Sequence, residues 1–205
     1  MNSIRPSAPR VRPINKDRSD LFLIDEFLDP LECRQWIATA EASGFERALI
    51  NTSVGQLPAP EVRNNDRLIW DDPELAERWW QRAAALIPAA FGRWHASGLN
   101  ERFRFYRYRP GQRFAAHYDG SYQRNRDENS WLTLLVYLND DFAGGTTRFD
   151  LAGVADPVVV QPQAGMALVF MHDRLHQGDE VTAGTKYVLR TDVMYRHERA
   201  QSTDL

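Results

Sequence analysis

Gln161–Val193, QPQAGMALVFMHDRLHQGDEVTAGTKYVLRTDV, is the stretch whose reading decides the fold. It runs as a turn, an apolar strand, a polar excursion, a second turn and a strand. The same rhythm extends back to Arg102, with short β-type segments separated by Gly, Pro and Asp turns at about ten-residue intervals and no helical periodicity between them. That pattern predicts a sandwich or barrel of mostly antiparallel strands rather than βαβ units. In RFRFYRYR (102–109) the aromatics change parity: Phe103 and Phe105 point one way, Tyr106 and Tyr108 the other, so both faces of that strand are expected to be covered.

Upstream the pattern differs. Residues 1–19 carry Pro6, Pro9 and Pro13 with five cations and little apolar content, the profile of a flexible tail. Residues 20–205 are expected to form a single domain. LFLIDEF (21–27) reads as its first strand. Asp29-Pro30-Leu31-Glu32 supplies an N-cap, a first-turn proline and a capping-box acid for a helix to about Ser43. Asp72-Pro73-Glu74 opens a second, through Trp79 and Trp80 to about Leu86. The expected class is mainly β with N-terminal helices.

With 205 residues and 43% hydrophobic content, the chain can bury one core. A net charge of −3 gives no global attraction to a phosphate backbone, so nucleic acid is not an expected partner. The apolar runs WLTLLVYL and MALVFM fall far below the roughly 20 residues that cross a bilayer, and no membrane association is expected. Cys33, the single cysteine, cannot form an internal disulfide; it reads as a small buried residue in a reducing, cytoplasmic setting.

The chemistry lies in the β-rich half. His117 and Asp119 are two positions apart, so on an extended segment both point to one side while Tyr118 points away. His176 can join them from a strand that folding brings alongside. Two His and one carboxylate on one face of an ion, with the opposite positions open, form the ligand set of non-haem Fe(II) oxygenases. Lys186 opens the next strand ten positions after His176, and Arg190 follows at i+4 on the same face. Either cation suits a carboxylate of an anionic cosubstrate.

Five ordered pieces, YRPGQRFAAHYD (108–119), LTLLVYLND (132–140), GGTTRF (144–149), PQAGMALVF (162–170) and HQGDEVTAGTKYVLR (176–190), resemble the 2-oxoglutarate/Fe(II)-dependent oxygenase superfamily and its prolyl 4-hydroxylase-like branch. The resemblance covers most of the chain from about Phe103. It implies a double-stranded β-helix, or jelly roll, with the helices packed on one sheet. It implies His117, Asp119 and His176 as Fe(II) ligands, Lys186 as partner of the 2-oxoglutarate C5 carboxylate, and O₂ as second cosubstrate. Tyr108 and Thr133 match positions that hydrogen-bond the cosubstrate in this branch. Phe114 stands where the branch often carries Tyr, and Arg190 lies outside the branch's anchor position.

Duller readings accompany these. Tyr108 and Thr133 suit any half-buried strand, Lys186 alone reads as a surface cation, and His172 rivals His176 but reads as a solvated residue at a strand end. His95 and His197 read as surface residues. Two stretches are candidates for substrate contact: 51–72, as a lid or clamp, and 119–130, which leaves Asp119 directly and carries Arg124 and Arg126. The substrate is expected to be a peptidyl prolyl or a small molecule. Trp79 and Trp80 read as exposed, which keeps a homodimer open beside a monomer. Two further functions fit parts of the pattern: a metal-dependent hydrolase or isomerase on a similar barrel, and a non-catalytic ligand-binding jelly roll.

Overall fold

The structure is a computed structural model that describes residues 8–14, 20–52 and 55–198. Its principal elements, in chain order, are β1 (Arg10–Pro13), β2 (Leu21–Asp25), α1 (Pro30–Ser43), β3 (Asp66–Asp71), α2 (Pro73–Ala83), β4 (Trp94–Leu99), β5 (Arg102–Tyr108), β6 (Phe114–His117), β7 (Glu128–Tyr137), β8 (Thr147–Phe149), β9 (Val158–Val160), β10 (Ala167–Met171), β11 (His176–Gly178) and β12 (Lys186–His197). Strands account for 46% of the chain, so the class is mainly β with two α-helices. The larger sheet runs β1-β2-β10-β7-β12-β5-β3, with Glu46–Arg47 on its far edge and β4 against β12. The smaller runs β6-β11-β8-β9. The ladders are antiparallel throughout, and the expected parity change in β5 holds: Phe103 and Phe105 join one core, Tyr106 and Tyr108 the other.

Both helices start where their caps dictate. The Asp29 carboxylate accepts from the Leu31 and Glu32 amides at 2.7 and 2.8 Å, while Glu32 returns to the Asp29 amide at 2.9 Å, a complete capping box. Asp72 accepts from the Leu75 amide at 2.8 Å. The helices lie over one face of the larger sheet. Trp36 packs on Phe105, and Trp79 sits edge-on to Phe27, Trp36 and Phe103. The reading of Trp79 as exposed is therefore corrected: it is 4% exposed, because α2 turns it into the aromatic layer between helix and sheet. The opposite face of the sheet holds a second core of Tyr106, Tyr108, Tyr137, Leu168, Phe170 and, from the smaller sheet, Phe149.

Two segments are more ordered than composition predicts. Arg10–Pro13, within the expected tail, forms β1 against β2, where Arg12 makes a two-point ion pair with Asp25 at 2.9 Å. Residues 1–7 and 15–19 of that segment lie outside the described residues. In the stretch expected as a loop at 51–72, residues 66–71 form β3, paired along its length with β5. Asp66 of this strand holds Arg107 at 3.0 Å, and Glu41 of α1 holds it at 2.9 Å, which ties β3, β5 and α1 together on the outer face. No described helix is long and apolar enough to cross a membrane.

Candidate metal centre

β6 and β11 are neighbours in the smaller sheet, and His117 and His176 are directly paired across them. Asp119, two residues past His117, has its amide hydrogen-bonded to the His172 carbonyl at 3.1 Å. That bond turns the chain so the carboxylate faces both imidazoles. Nε2 of His117 lies 3.8 Å from Asp119 Oδ1, Nε2 of His176 lies 3.9 Å from Oδ2, and the three donor atoms fall within 4.8 Å of one another. Among the described residues this is the cluster able to hold a metal.

The rest of the hydrogen bonding fits an ion at that point. Nδ1 of His117 is 2.7 Å from the Ala115 carbonyl and Nδ1 of His176 is 2.9 Å from the Arg174 carbonyl. A carbonyl only accepts, so each Nδ1 carries the proton and each Nε2 presents its lone pair to the ion. Burial, reinforced by the facing His176, lowers the His117 pKa to about 4, and burial lowers that of His176, so both rings are neutral and ready to ligate at physiological pH. Burial alone would raise the Asp119 pKa; the Arg190 guanidinium and the neighbouring imidazoles outweigh it, aided by Thr133, and hold the carboxyl well below the usual range. Three neutral-or-anionic donors this close together suit a divalent ion.

Arg190 and Thr133 sit differently from what the sequence implies. Both reach the metal ligand: Arg190 pairs with Asp119 Oδ1 at 2.7 Å, and Thr133 Oγ1 donates to Oδ2 at 2.6 Å. Arg190 is flanked on its other side by Asp192 at 3.0 Å, so two buried carboxylates share this one guanidinium, and Arg104 adds a contact to Asp192 at 3.3 Å. Asp192 could have been found from strand alternation, being two positions from Arg190 on the same face.

Lys186 occupies the other end of the interior. It is 4% exposed, donates to the Gly145 carbonyl at 2.6 Å, and lies over the rings of Tyr108 and Tyr137 at 5.4 and 5.3 Å. Among the described residues no carboxylate lies within ion-pair distance of it, and burial lowers its pKa to about 7. Gly145 must be glycine here: its φ is +63°, and a Cβ would stand 3.2 Å from the Lys186 side chain. A buried ammonium without a counter-ion is costly unless an anion completes it.

The rival His172 is excluded from the cluster and is buried rather than solvated. It is 7% exposed, both ring nitrogens lack hydrogen-bond partners, and Asp192 is 3.8 Å away. Arg124, read as a substrate contact, is committed to Glu101 and Glu128. Arg63, from the RNND segment, is a site residue that sequence reasoning did not single out. Its guanidinium is sandwiched between Tyr106 and Phe114 at 4.5 and 4.4 Å, and Phe114 stacks on His117 at 3.5 Å.

A model of the 2OG-Fe(II) oxygenase superfamily matches residues 103–191, which contain the triad, Lys186 and Arg190. Prolyl 4-hydroxylase 1 of Arabidopsis thaliana is 27% identical over 188 residues; the match spans 82% of this chain and 66% of that relative's length. Three solved structures share the fold. A viral collagen prolyl hydroxylase from Paramecium Bursaria Chlorella virus-1 matches with TM-score 0.61 at 22% identity, over 85% of this chain and 94% of the other. A Pseudomonas putida prolyl-4-hydroxylase matches with TM-score 0.64 at 18% identity, over 88% and 94%. A Trichoplax adhaerens prolyl hydroxylase, solved with a hypoxia inducible factor peptide fragment, matches with TM-score 0.67 at 17% identity, over 88% and 86%. The family's cofactors, Fe(II), 2-oxoglutarate and O₂, agree with the donor set described above. The two-histidine, one-carboxylate cluster lies inside the segment that matches the 2OG-Fe(II) oxygenase superfamily, and the relative and solved structures to which the chain is similar are prolyl hydroxylases.

Proposed function

We propose that this protein is an Fe(II)- and 2-oxoglutarate-dependent dioxygenase that hydroxylates a peptidyl prolyl or small-molecule substrate. The observation that carries the reading is the pairing of a pre-oriented triad, two neutral imidazoles and an ionised carboxylate, with a buried lysine, Lys186, that has no carboxylate within ion-pair distance among the described residues. The likeness to a plant prolyl 4-hydroxylase supports a prolyl group as the site of oxidation. The two facing sheets, with helices on the larger, support a double-stranded β-helix.

In this reading His117, Asp119 and His176 hold Fe(II). The chemistry supplied when iron and 2-oxoglutarate are bound is oxidation of a C–H bond coupled to decarboxylation of 2-oxoglutarate to succinate and CO₂. Lys186 binds the C5 carboxylate, with Tyr108 and Tyr137 walling the pocket around it. Arg190 and Thr133 orient Asp119, because Arg190 Nη1 and the Thr133 hydroxyl engage its two oxygens while Arg190 Nη2 is held by Asp192. The buried walls, Phe149 and Phe170 against His176 and Phe114 against His117, keep water from the donors. No separate acid or base is required.

The hydrolase alternative has no use for a second carboxylate site at Lys186, and a non-catalytic binder has no use for two tautomer-fixed imidazoles. A screen of prolyl peptides and small imino acids with Fe(II), 2-oxoglutarate and O₂, read by succinate release and a mass gain of one oxygen, tests the proposal. Activity with Zn(II) that is indifferent to oxygen would reverse it.

A further inference from the structure

β3 and β5 are paired so that Arg67 lies opposite Tyr106, and β5 and β12 are paired so that Arg104 lies opposite Arg190. Strand alternation places all these side chains on the interior face, the face that carries Lys186 and Tyr108. Arg63, on the same side of the segment leading into β3, covers the ring of Tyr106. Tyr106 is thus surrounded by guanidiniums: burial would raise its pKa, and the proximity of Arg63, Arg190 and Arg104 outweighs this and lowers it. Among the described residues the buried acids that face this group of four arginines are Asp119 and Asp192, and both are engaged by Arg190, with Arg104 also on Asp192.

Two cations are left over. Arg63 is 6% exposed; its Nε donates to the neutral Asn65 Oδ1 at 2.7 Å, and one terminal nitrogen, Nη2, is buried with no hydrogen-bond partner among the described residues. Arg67 makes no side-chain hydrogen bond or ion pair among the described residues, and its pKa is lowered by burial and by the repulsion of Arg63 and Arg104. Glu46, its register partner on the edge strand, is exposed and outside ion-pair distance. The acids adjacent in sequence do not help: Asp66 faces outward to Arg107 and Arg109. A buried donor left unsatisfied beside a second unpaired cation is costly, and both are relieved by one anion.

We propose that the substrate carries a carboxylate, and that Arg63 and Arg67 bind it, fixing which C–H bond is presented beside the triad. This deepens the dioxygenase reading and rests on it. On that reading the two carboxylates of 2-oxoglutarate are taken by Lys186 and by the metal, so a third anionic group must come from the molecule being oxidised. Its source is either the α-carboxylate of a free imino or amino acid or an acidic side chain in a peptide. Arg63, clamped between Tyr106 and Phe114, cannot swing away to solvent and sets the position. Arg67, half-buried, supplies the second prong.

The test is titration calorimetry on the full chain loaded with Mn(II) and 2-oxoglutarate, which holds the site without turnover. Four probes are compared as two acid–amide pairs: L-proline against L-prolinamide, and an acetylated, amidated Gly-Glu-Pro-Gly peptide against its Gly-Gln-Pro-Gly counterpart. The expected result is that at least one acid binds about tenfold or more tighter than its amide partner. Arg67→Gln should remove that preference, with the Kd of 2-oxoglutarate unchanged within about twofold. The pair that discriminates identifies the source of the carboxylate. Arg63→Gln should act likewise; if that buried change prevents folding, Arg67→Gln carries the test alone. Equal binding of acid and amide, failure of both acids to bind up to about 10 mM, or a preference that survives Arg67→Gln would overturn the proposal. Weakened 2-oxoglutarate binding in Arg67→Gln with acid preference intact would also overturn it, by assigning the arginine to the cosubstrate. Failure of the wild-type protein to bind 2-oxoglutarate at all would instead count against the dioxygenase reading itself.

Discussion

Arg190 forms an ion pair with Asp119 at 2.7 Å across the interior of the fold, joining a strand of the larger sheet to a candidate ligand that follows the smaller one. The same guanidinium holds Asp192 at 3.0 Å, so it is the shared counter-charge of two buried carboxylates. Its charge is locked in: burial opposes it, but Asp119 and Asp192 together raise its pKa above the ordinary arginine value.

Removing that counter-charge exposes what it compensates. Arg190→Leu should destabilise the metal-free protein by about 3–5 kcal/mol, the cost of leaving buried charge unpaired. A divalent ion at Asp119 then replaces part of the lost positive charge. Thermal melts should therefore show a larger rise in Tm on adding Mn(II) to Arg190→Leu than to wild type, and an equal rise would show that the arginine is not the carboxylate's electrostatic partner.

Thr133→Val tests orientation without altering charge. The change removes the 2.6 Å hydrogen bond to Asp119 Oδ2 and keeps the shape of the side chain. Loss of such an outer contact costs about 10–100-fold in metal affinity. A competition titration with Mn(II) should show that loss while 2-oxoglutarate binding at saturating metal is little changed. The opposite split would return Thr133 to the role of a cosubstrate contact.

Lys186 makes both stability and cosubstrate binding depend on pH. Its pKa in the folded protein is about 7 against an ordinary 10.5, so between those values the unfolded chain holds a proton that the folded chain has released. The unfolded state binds more protons there, and stability of the cosubstrate-free protein should rise with pH across that window. Binding of 2-oxoglutarate requires the ammonium form, so its affinity should fall above about pH 7, by at most about tenfold per pH unit. Lys186→Met should remove the stability rise, stabilise the empty protein and abolish the tightening at low pH. Isothermal titrations across about pH 6–9 would reveal a pH-independent affinity if the lysine is not the anchor.

Trp79→Ala probes how the helices are fixed to the sheet. The indole fills the space between Phe27, Trp36 and Phe103, and its loss should cost about 3–5 kcal/mol. Chemical denaturation would measure this directly. A cost below about 1 kcal/mol would mean that the site collapses around the gap.

Much of this was legible in the chain. The Asp-Pro-x-Glu and Asp-Pro-Glu starts mark both helices because caps are local, and the parity change in RFRFYRYR shows a strand with two covered faces. His-x-Asp places two ligands on one side of an extended segment, and His176 emerges as their cross-strand partner. What sequence hid depends on long-range packing. Trp79 reads as one of two exposed tryptophans because its burial comes from a sheet distant in sequence. β3 is masked because the polar run Arg63-Asn64-Asn65-Asp66 leads straight into it, Asp66 being its first residue. Arg190 resembles a cosubstrate anchor because alternation puts it on the face of Lys186, and only the fold shows that Asp119 reaches it first. Arg63 and Arg67 lie in the 51–72 stretch with nothing local to mark them, and only the fold brings Tyr106 of β5 to both.

The most direct measurement of the central claim is consumption of 2-oxoglutarate, with succinate quantified, in wild type, Asp119→Ala and Lys186→Met under Fe(II) and O₂. The expected result is oxygen-dependent succinate formation by wild type that Asp119→Ala loses outright and Lys186→Met loses at sub-saturating 2-oxoglutarate. Turnover unaffected by either substitution, or no consumption by wild type with Fe(II), would contradict the account.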